Sequence, residues 1–194
     1  MGEEENYEKS KNDLWVLDPI DGTIPFSHGL PICAFSLARV REGEVILGVA
    51  YDPFSDRLLF AQKNQGAFLN NQRIFVSKAT SLERQVVGIE TWSKGTYYTN
   101  LPFSVADEMS KKDIIIIHLC SIVYTAMLVA IGEVAGAYFA GNTAHDIAAV
   151  KLIVEEAGGK VTDLFGNGQS YSKPIKGAVI SNGNLHDSLL AFIL

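Results

Sequence analysis

The sequence predicts an α/β protein whose strands and helices stack in layers. Three observations carry that reading. Short apolar runs alternate along the chain with runs of helical period, so strands and helices are interleaved rather than segregated. Hydrophobic residues fill 47% of the 194 positions and charged residues 20%, which supplies a packed core and excludes global disorder. No repeat or low-complexity tract interrupts the pattern, and the length suits one domain, with two sub-lobes at most.

The elements follow in order. Leu14–Leu17 reads as a short strand ending at Asp18, because Pro19 has no N–H to continue a ladder. Ala34–Val40 and Val45–Tyr51 read as two strands joined by the turn 41–44, Arg-Glu-Gly-Glu. Arg57–Gln62 is another strand, and the run 66–71, Gly-Ala-Phe-Leu-Asn-Asn, opens a tight hairpin. Gln85–Glu90 and Asp113–Ile117 are further strands, and the polar stretch Lys94–Lys112 reads as a loop or a short surface helix. Ser121–Gly132 predicts a helix and Ala135–Phe139 a strand. Asp146–Ala157 predicts a helix with Asp146 as its N-cap and the pair Gly158, Gly159 as its left-handed stop. Lys160–Leu164 and Ala178–Ser181 are strands, and a helix runs from Leu185 to the end.

Charge and composition exclude several classes. Lys and Arg number 16 against 22 Asp and Glu, a net charge of −6, which argues against a nucleic-acid binder. Two cysteines, Cys33 and Cys120, exclude a disulfide scaffold and fit a reducing compartment; the expected location is cytoplasmic. The N-terminus, Met-Gly-Glu-Glu-Glu-Asn, is acidic where a secretory signal is basic and then apolar. The eighteen residues 114–131 carry no charge and reach the lower limit for a membrane span. The run Ile114–Ile117 followed by a separate helix from Ser121 reads instead as strand and helix, so no membrane partner is expected.

The run 15–23, Trp-Val-Leu-Asp-Pro-Ile-Asp-Gly-Thr, carries the chemistry. A buried strand delivers Asp18 to the sheet edge, and Asp21 follows three residues later, so a turn can aim both carboxylates at one point. Two carboxylates that close repel unless a cation lies between them. All-oxygen donors favour a hard ion, Mg²⁺ above all. Gly22 permits close backbone approach to a ligand, and the Thr23 hydroxyl could orient a water. An isolated Asp-Pro or Asp-Gly is an ordinary turn former; the complete run after a hydrophobic strand is more specific. Asp146 reads as a helix cap or as a third carboxylate for the same cation, two compatible roles, and on the second reading Ala148 and Ala149 are small so that the helix can pack closely. His145 reads as a wall or a hydrogen-bonding residue. Glu3, Glu4, Glu5 and Glu8 by themselves read as a solvated acidic run.

With these residues in place, the chain resembles the inositol monophosphatase family of Mg²⁺-dependent, lithium-sensitive phosphatases. The run 18–23, Asp-Pro-Ile-Asp-Gly-Thr, matches the family's first signature. The run from Asp146-Ile147-Ala148-Ala149 through Glu156-Ala157-Gly158-Gly159 matches the second, apart from His145 where the family usually has Trp. Gly2-Glu3-Glu4 is similar to the Gly-Glu-Glu that precedes the first signature, and Gly66–Asn70 and the Ser77 region resemble family hairpin sequence. The resemblance implies an αβαβα sandwich of the sugar-phosphatase type, usually a homodimer, with residues 1–194 as a single domain. It implies two or three Mg²⁺ ions held by Glu3, Asp18, Asp21, Asp146 and the backbone carbonyl of Ile20. It implies that Glu3, Asp21 and Thr23 serve catalysis, and that Ile20, Asp21, Gly22, Thr23, Ser121 and Asp146 meet a small phosphorylated metabolite.

The chain departs from the family pattern in places. The family's substantial N-terminal region, with two helices, the first strands and a water-activating acid, does not precede Gly2-Glu3-Glu4 here, so the domain is expected to be incomplete at its N-terminus. Ile24-Pro25 replaces the usual Thr-Asn. Phe139 stands seven residues before Asp146, where inositol-specific members carry a glutamate, which turns attention to other esters. The expected reaction is Mg²⁺-dependent hydrolysis of inositol monophosphate or a related sugar or polyol phosphate. Fructose-1,6-bisphosphate, histidinol phosphate and nucleotide 3′-phosphates are alternative substrates, and a catalytically silent metal- and phosphate-binding paralogue is the rival reading.

Overall fold

The first sheet is an antiparallel meander of six strands in chain order. β1 (Asp13–Asp21), β2 (Ala34–Arg41), β3 (Glu44–Asp52), β4 (Arg57–Gln62), β5 (Ala67–Leu69) and β6 (Gln72–Arg73) each pair with the next. The structure is a computed structural model and describes residues 12–90 and 101–194. Alternation builds the meander: along β2 every second side chain is buried, from Ala34 to Val40. Its turns use backbone conformations that suit their residues. Glu42 and Gly43 both take positive φ between β2 and β3, as do Asn70 and Asn71 between β5 and β6, the mirror-image turns whose twist matches a hairpin.

The second sheet is mixed, in the order β10 (Lys160–Thr162), β11 (Ala178–Ser181), β9 (Gly136–Phe139), β7 (Val86–Glu90), β8 (Ile115–Ile117). β7 runs parallel to both β8 and β9, and the other two pairings are antiparallel. Between the sheets lie α3 (Ile122–Ala130) and α4 (Ala148–Glu156), and their side chains form one apolar core with both sheets. On the far face of the second sheet, α2 (Leu101–Ser110) and α5 (His186–Leu190) enclose a second core with Val87, Tyr138 and Val179. Among the described residues the order is sheet, helices, sheet, helices, four layers of the five expected. On the outer face of the first sheet Trp15, Leu58 and Phe60 are exposed. One further short helix, α1 (Thr23–Ser27), follows β1 directly.

The small residues of α4 let it lie close against β3. A Cβ added to Gly48 would stand 2.5 Å from the Ala149 carbonyl oxygen, so helix and strand touch through their backbones. Gly158, at φ 93°, ends α4, and the Gly159 N–H donates back to the Val154 carbonyl at 2.8 Å.

Three sequence expectations are revised. β1 does not end at Asp18. Pro19 falls in a bulge, Asp18 pairing with Ser36 and Asp21 with Ala34, so one extra residue is accommodated without the missing N–H and the ladder resumes. Asp146 is not the N-cap of α4. Its turn is already closed by the Ala148 N–H on the Ala144 carbonyl, and Ile147 precedes the first helical residue. The stretch 94–112 divides: 101–110 is α2, and 91–100 lies outside the described residues. Among the described residues no helix is long and apolar enough to cross a membrane; 114–131 separates into β8 and α3.

Candidate metal centre

The bulge in β1 is what assembles the acids. Residues three apart on a regular strand face opposite sides of the sheet. The extra residue resets the alternation, so Asp18 and Asp21 both turn inward and are 3% exposed, while Ile20 points out. Within the bulge, the Ile20 N–H donates to Asp18 Oδ1 at 3.1 Å and holds that carboxylate against the backbone.

Asp146 reaches the same place from the turn before α4. Ser36 lies opposite Asp18 on β2, and its hydroxyl donates to the carbonyl of His145 at 3.4 Å. This ties the β1–β2 ladder to the 145–146 segment. Thr143 Oγ1 donates to Asp146 Oδ2, and His145 Nε2 stands 3.6 Å from Asp146 Oδ1. One ligand atom from each of Asp18, His145 and Asp146 can be chosen so that all lie within 4.8 Å of one another.

Asp21 borders this group and is held differently. Its Oδ2 accepts from the Ser121 hydroxyl and from the Val123 N–H at 2.9 Å. Ser121 is the N-cap of α3, accepting from the Tyr124 N–H at 3.2 Å, so the Asp21 carboxylate sits on the first turn of that helix. Burial pushes the Asp21 carboxyl up to about 7, against the two donated hydrogen bonds, and the charges of Asp18 and Glu90 push the same way. An acid held that reluctantly as an anion is suited to a cation, which would replace the proton.

The remaining expected residues are placed as follows. Gly22, at φ 83°, turns the chain from β1 into α1 and lies so close to α3 that a Cβ would meet Ser121 Cβ at 2.9 Å. Thr23 opens α1 and is exposed beside the buried acids. Ser121 is fully buried and reaches the centre through Asp21 rather than through an open face. Glu3 lies outside the described residues. At position 139, seven residues before Asp146, the side chain is an apolar ring that offers a sugar hydroxyl no hydrogen-bond acceptor. β9 is buried along its whole length, and the Phe139 ring is packed in the core against Gly141.

Sequence reasoning missed three contributors. Ser36 and Thr143 are single hydroxyls with no motif around them. Glu90 ends β7 fully inside, where its Oε1 accepts from Thr125 Oγ1 at 2.7 Å and the Leu119 N–H at 3.0 Å. A strand that closes on a carboxylate was the available signal. His145, read as a wall or a hydrogen-bonding residue, stands beside the acids, its Nε2 3.6 Å from Asp146 Oδ1.

The donor set fits a divalent cation: two buried carboxylates and an imidazole converge, with a third buried carboxylate alongside. Comparison with known proteins agrees with this chemistry. The sequence model described as the inositol monophosphatase family matches residues 1–193. A protein named fructose-1,6-bisphosphatase/inositol-1-monophosphatase from Thermotoga maritima is 40% identical over 194 residues, covering all of this chain and 72% of the relative. An inositol-1-monophosphatase from Mesorhizobium japonicum is 35% identical over 157 residues, covering 78% of this chain and 57% of its own length. The solved structure of a Thermotoga maritima IMPase superposes with a TM-score of 0.89 at 38% identity, over all of this chain and 72% of that one. The chain belongs to the inositol monophosphatase family of phosphoric monoester hydrolases.

Proposed function

We propose that this chain hydrolyses a small sugar or polyol phosphate monoester with Mg²⁺ as cofactor, and that lithium inhibits it. The observation that carries the reading is the convergence of Asp18 and Asp146 from two separate elements, with Asp21 buried beside them. Bound Mg²⁺ would supply the positive charge that acidifies a water and neutralises the phosphoryl oxygens. Asp18 and Asp146 would hold it, and Asp21, fixed on the α3 N-terminus, would present its second oxygen. Thr23, exposed at the start of α1, would orient the attacking water, a task the family resemblance also gives to Glu3. Gly22 keeps the backbone free of a side chain where α1 meets α3. The carbonyl of Ile20 belongs to the proposed ligand set as well. Phosphate-ester hydrolysis is among the slowest uncatalysed reactions, so charge stabilisation of this kind is the effect the site must provide.

The substrate class includes inositol monophosphate and, from the name of the Thermotoga relative, fructose-1,6-bisphosphate. Homodimeric assembly and a cytoplasmic setting belong to the same proposal. Phosphate release from a panel of both compounds, histidinol phosphate and nucleotide 3′-phosphates, with and without Mg²⁺, tests it. Turnover that vanishes on chelation is the expected result. Mg²⁺ binding without turnover on any ester would favour a silent metal- and phosphate-binding role; the chain spans 72% and 57% of the length of these two relatives.

A further inference from the structure

We infer that His145 is itself a ligand of the metal centre, so that the site takes nitrogen-accepting divalent cations such as Co²⁺, Mn²⁺ or Zn²⁺ more readily than an all-carboxylate site would. The inference concerns the same centre as the proposed phosphatase but rests on the donor geometry rather than on turnover.

The position is the first reason. The chain carries His145 where its family resemblance leads to Trp, so the imidazole is a property of this sequence. Its placement is the second. Two donors on one first-row cation stand at most about 4.2 Å apart, twice a metal–donor distance of about 2.1 Å. His145 Nε2 lies 3.6 Å from Asp146 Oδ1, inside that span, while one ligand atom from each of Asp18, His145 and Asp146 lies within 4.8 Å of the others, so a small side-chain movement would bring all three onto one ion. Restraint is the third. The imidazole side chain is only 16% exposed, and the residue's carbonyl is held by Ser36 on the strand that pairs with β1. A ring oriented by the same ladder that positions Asp18 needs little reorganisation to bind. Imidazole is a poor ligand for Mg²⁺ and a good one for Co²⁺, Zn²⁺ and, more weakly, Mn²⁺. These cations bind most sites more tightly than Mg²⁺ does, so the informative quantity is the change when the imidazole is removed.

The test uses the full chain and two metals alone. Co²⁺ and Mg²⁺ are titrated by calorimetry into the wild type and His145→Phe, with thermal melts confirming that both fold. The inference predicts Co²⁺ affinity at least 10-fold weaker in the variant and Mg²⁺ affinity changed less than 3-fold. Equal changes for the two cations, or none for either, overturn it, because His145 would then act only as a wall or as an electrostatic partner of Asp146. Should His145→Phe fail to fold, pulsed electron paramagnetic resonance on Mn²⁺-loaded wild type decides. Nitrogen hyperfine coupling of a directly bound imidazole supports the inference, and its absence overturns it. Phosphate release measured on the same Mg²⁺-loaded protein separates the two claims. Turnover without nitrogen coupling removes the histidine ligand alone, and nitrogen coupling without turnover removes the phosphatase reading alone.

Discussion

Asp21 is held by two donors from α3 while burial resists its charge, and this combination sets what a substitution there does. Asp21→Asn keeps the shape and removes the charge. It should lower turnover by about 100-fold or more and weaken divalent-metal binding, checked by phosphate release and calorimetry. Unchanged activity would remove Asp21 from the site. At the start of α5, His186 is fully buried between the hydroxyls of Ser181, 2.8 Å from Nδ1, and Thr162, 3.0 Å from Nε2. Burial, with the charge of Lys160, holds its imidazole down to about 4 from an ordinary 6.5. The unfolded chain therefore takes up this proton at a pH where the folded chain still refuses it. The His186 contribution to stability is complete above pH 6.5 and is lost as pH falls from 6.5 towards 4. Denaturant midpoints at a series of pH values should fall over that window in the wild type and fall less in His186→Gln.

At the scale of elements, the packing of α4 on β3 is what carries Asp146 to Asp18. Gly48→Ala would place a methyl 2.5 Å from the Ala149 carbonyl, a backbone atom that cannot swing aside. The expected outcome is a loss of about 1–3 kcal/mol of stability, the usual range for overpacking, together with weaker metal binding because the helix must shift. Adjacent residues of β4 make a contrasting pair. Leu59 is fully buried in the inter-sheet core and Phe60 is 37% exposed on the outer face. Leu59→Ala should cost about 2–5 kcal/mol and Phe60→Ala clearly less, a comparison that reads the register of the meander directly in urea titrations. Much of this register was legible in the sequence, since alternation and the turn residues at 42–43 and 70–71 set it locally. The bulge at Pro19 was not legible, because the strand partner that accommodates it, β2, lies a loop away. The cap of α4 was misread for a related reason: an Asp before a helix suits either a cap or a ligand, and only the Ala144 turn decides.

For the whole molecule, the layered order followed from interleaved strands and helices, whereas the composition of the metal centre did not follow from motifs alone. Asp18, Asp21 and Asp146 stood out by spacing. His145, Ser36 and Glu90 became visible only once β1, β2, β7 and the turn before α4 were brought together. Position 139, where the resemblance leads to a glutamate in inositol-specific members, holds a phenylalanine buried in the core. A ligand that binds the folded state alone stabilises it by mass action, so a divalent cation at 100 times its dissociation constant should add about 2.7 kcal/mol. Asp146→Asn should abolish that gain, which thermal melts with and without metal would record.

The most direct measurement is anomalous diffraction from a crystal of this chain loaded with Mn²⁺. The account predicts a peak within bonding distance, about 2.0–2.4 Å, of carboxylate oxygens from both Asp18 and Asp146. No peak between those two side chains, or ions bound only elsewhere on the acidic surface, would contradict it.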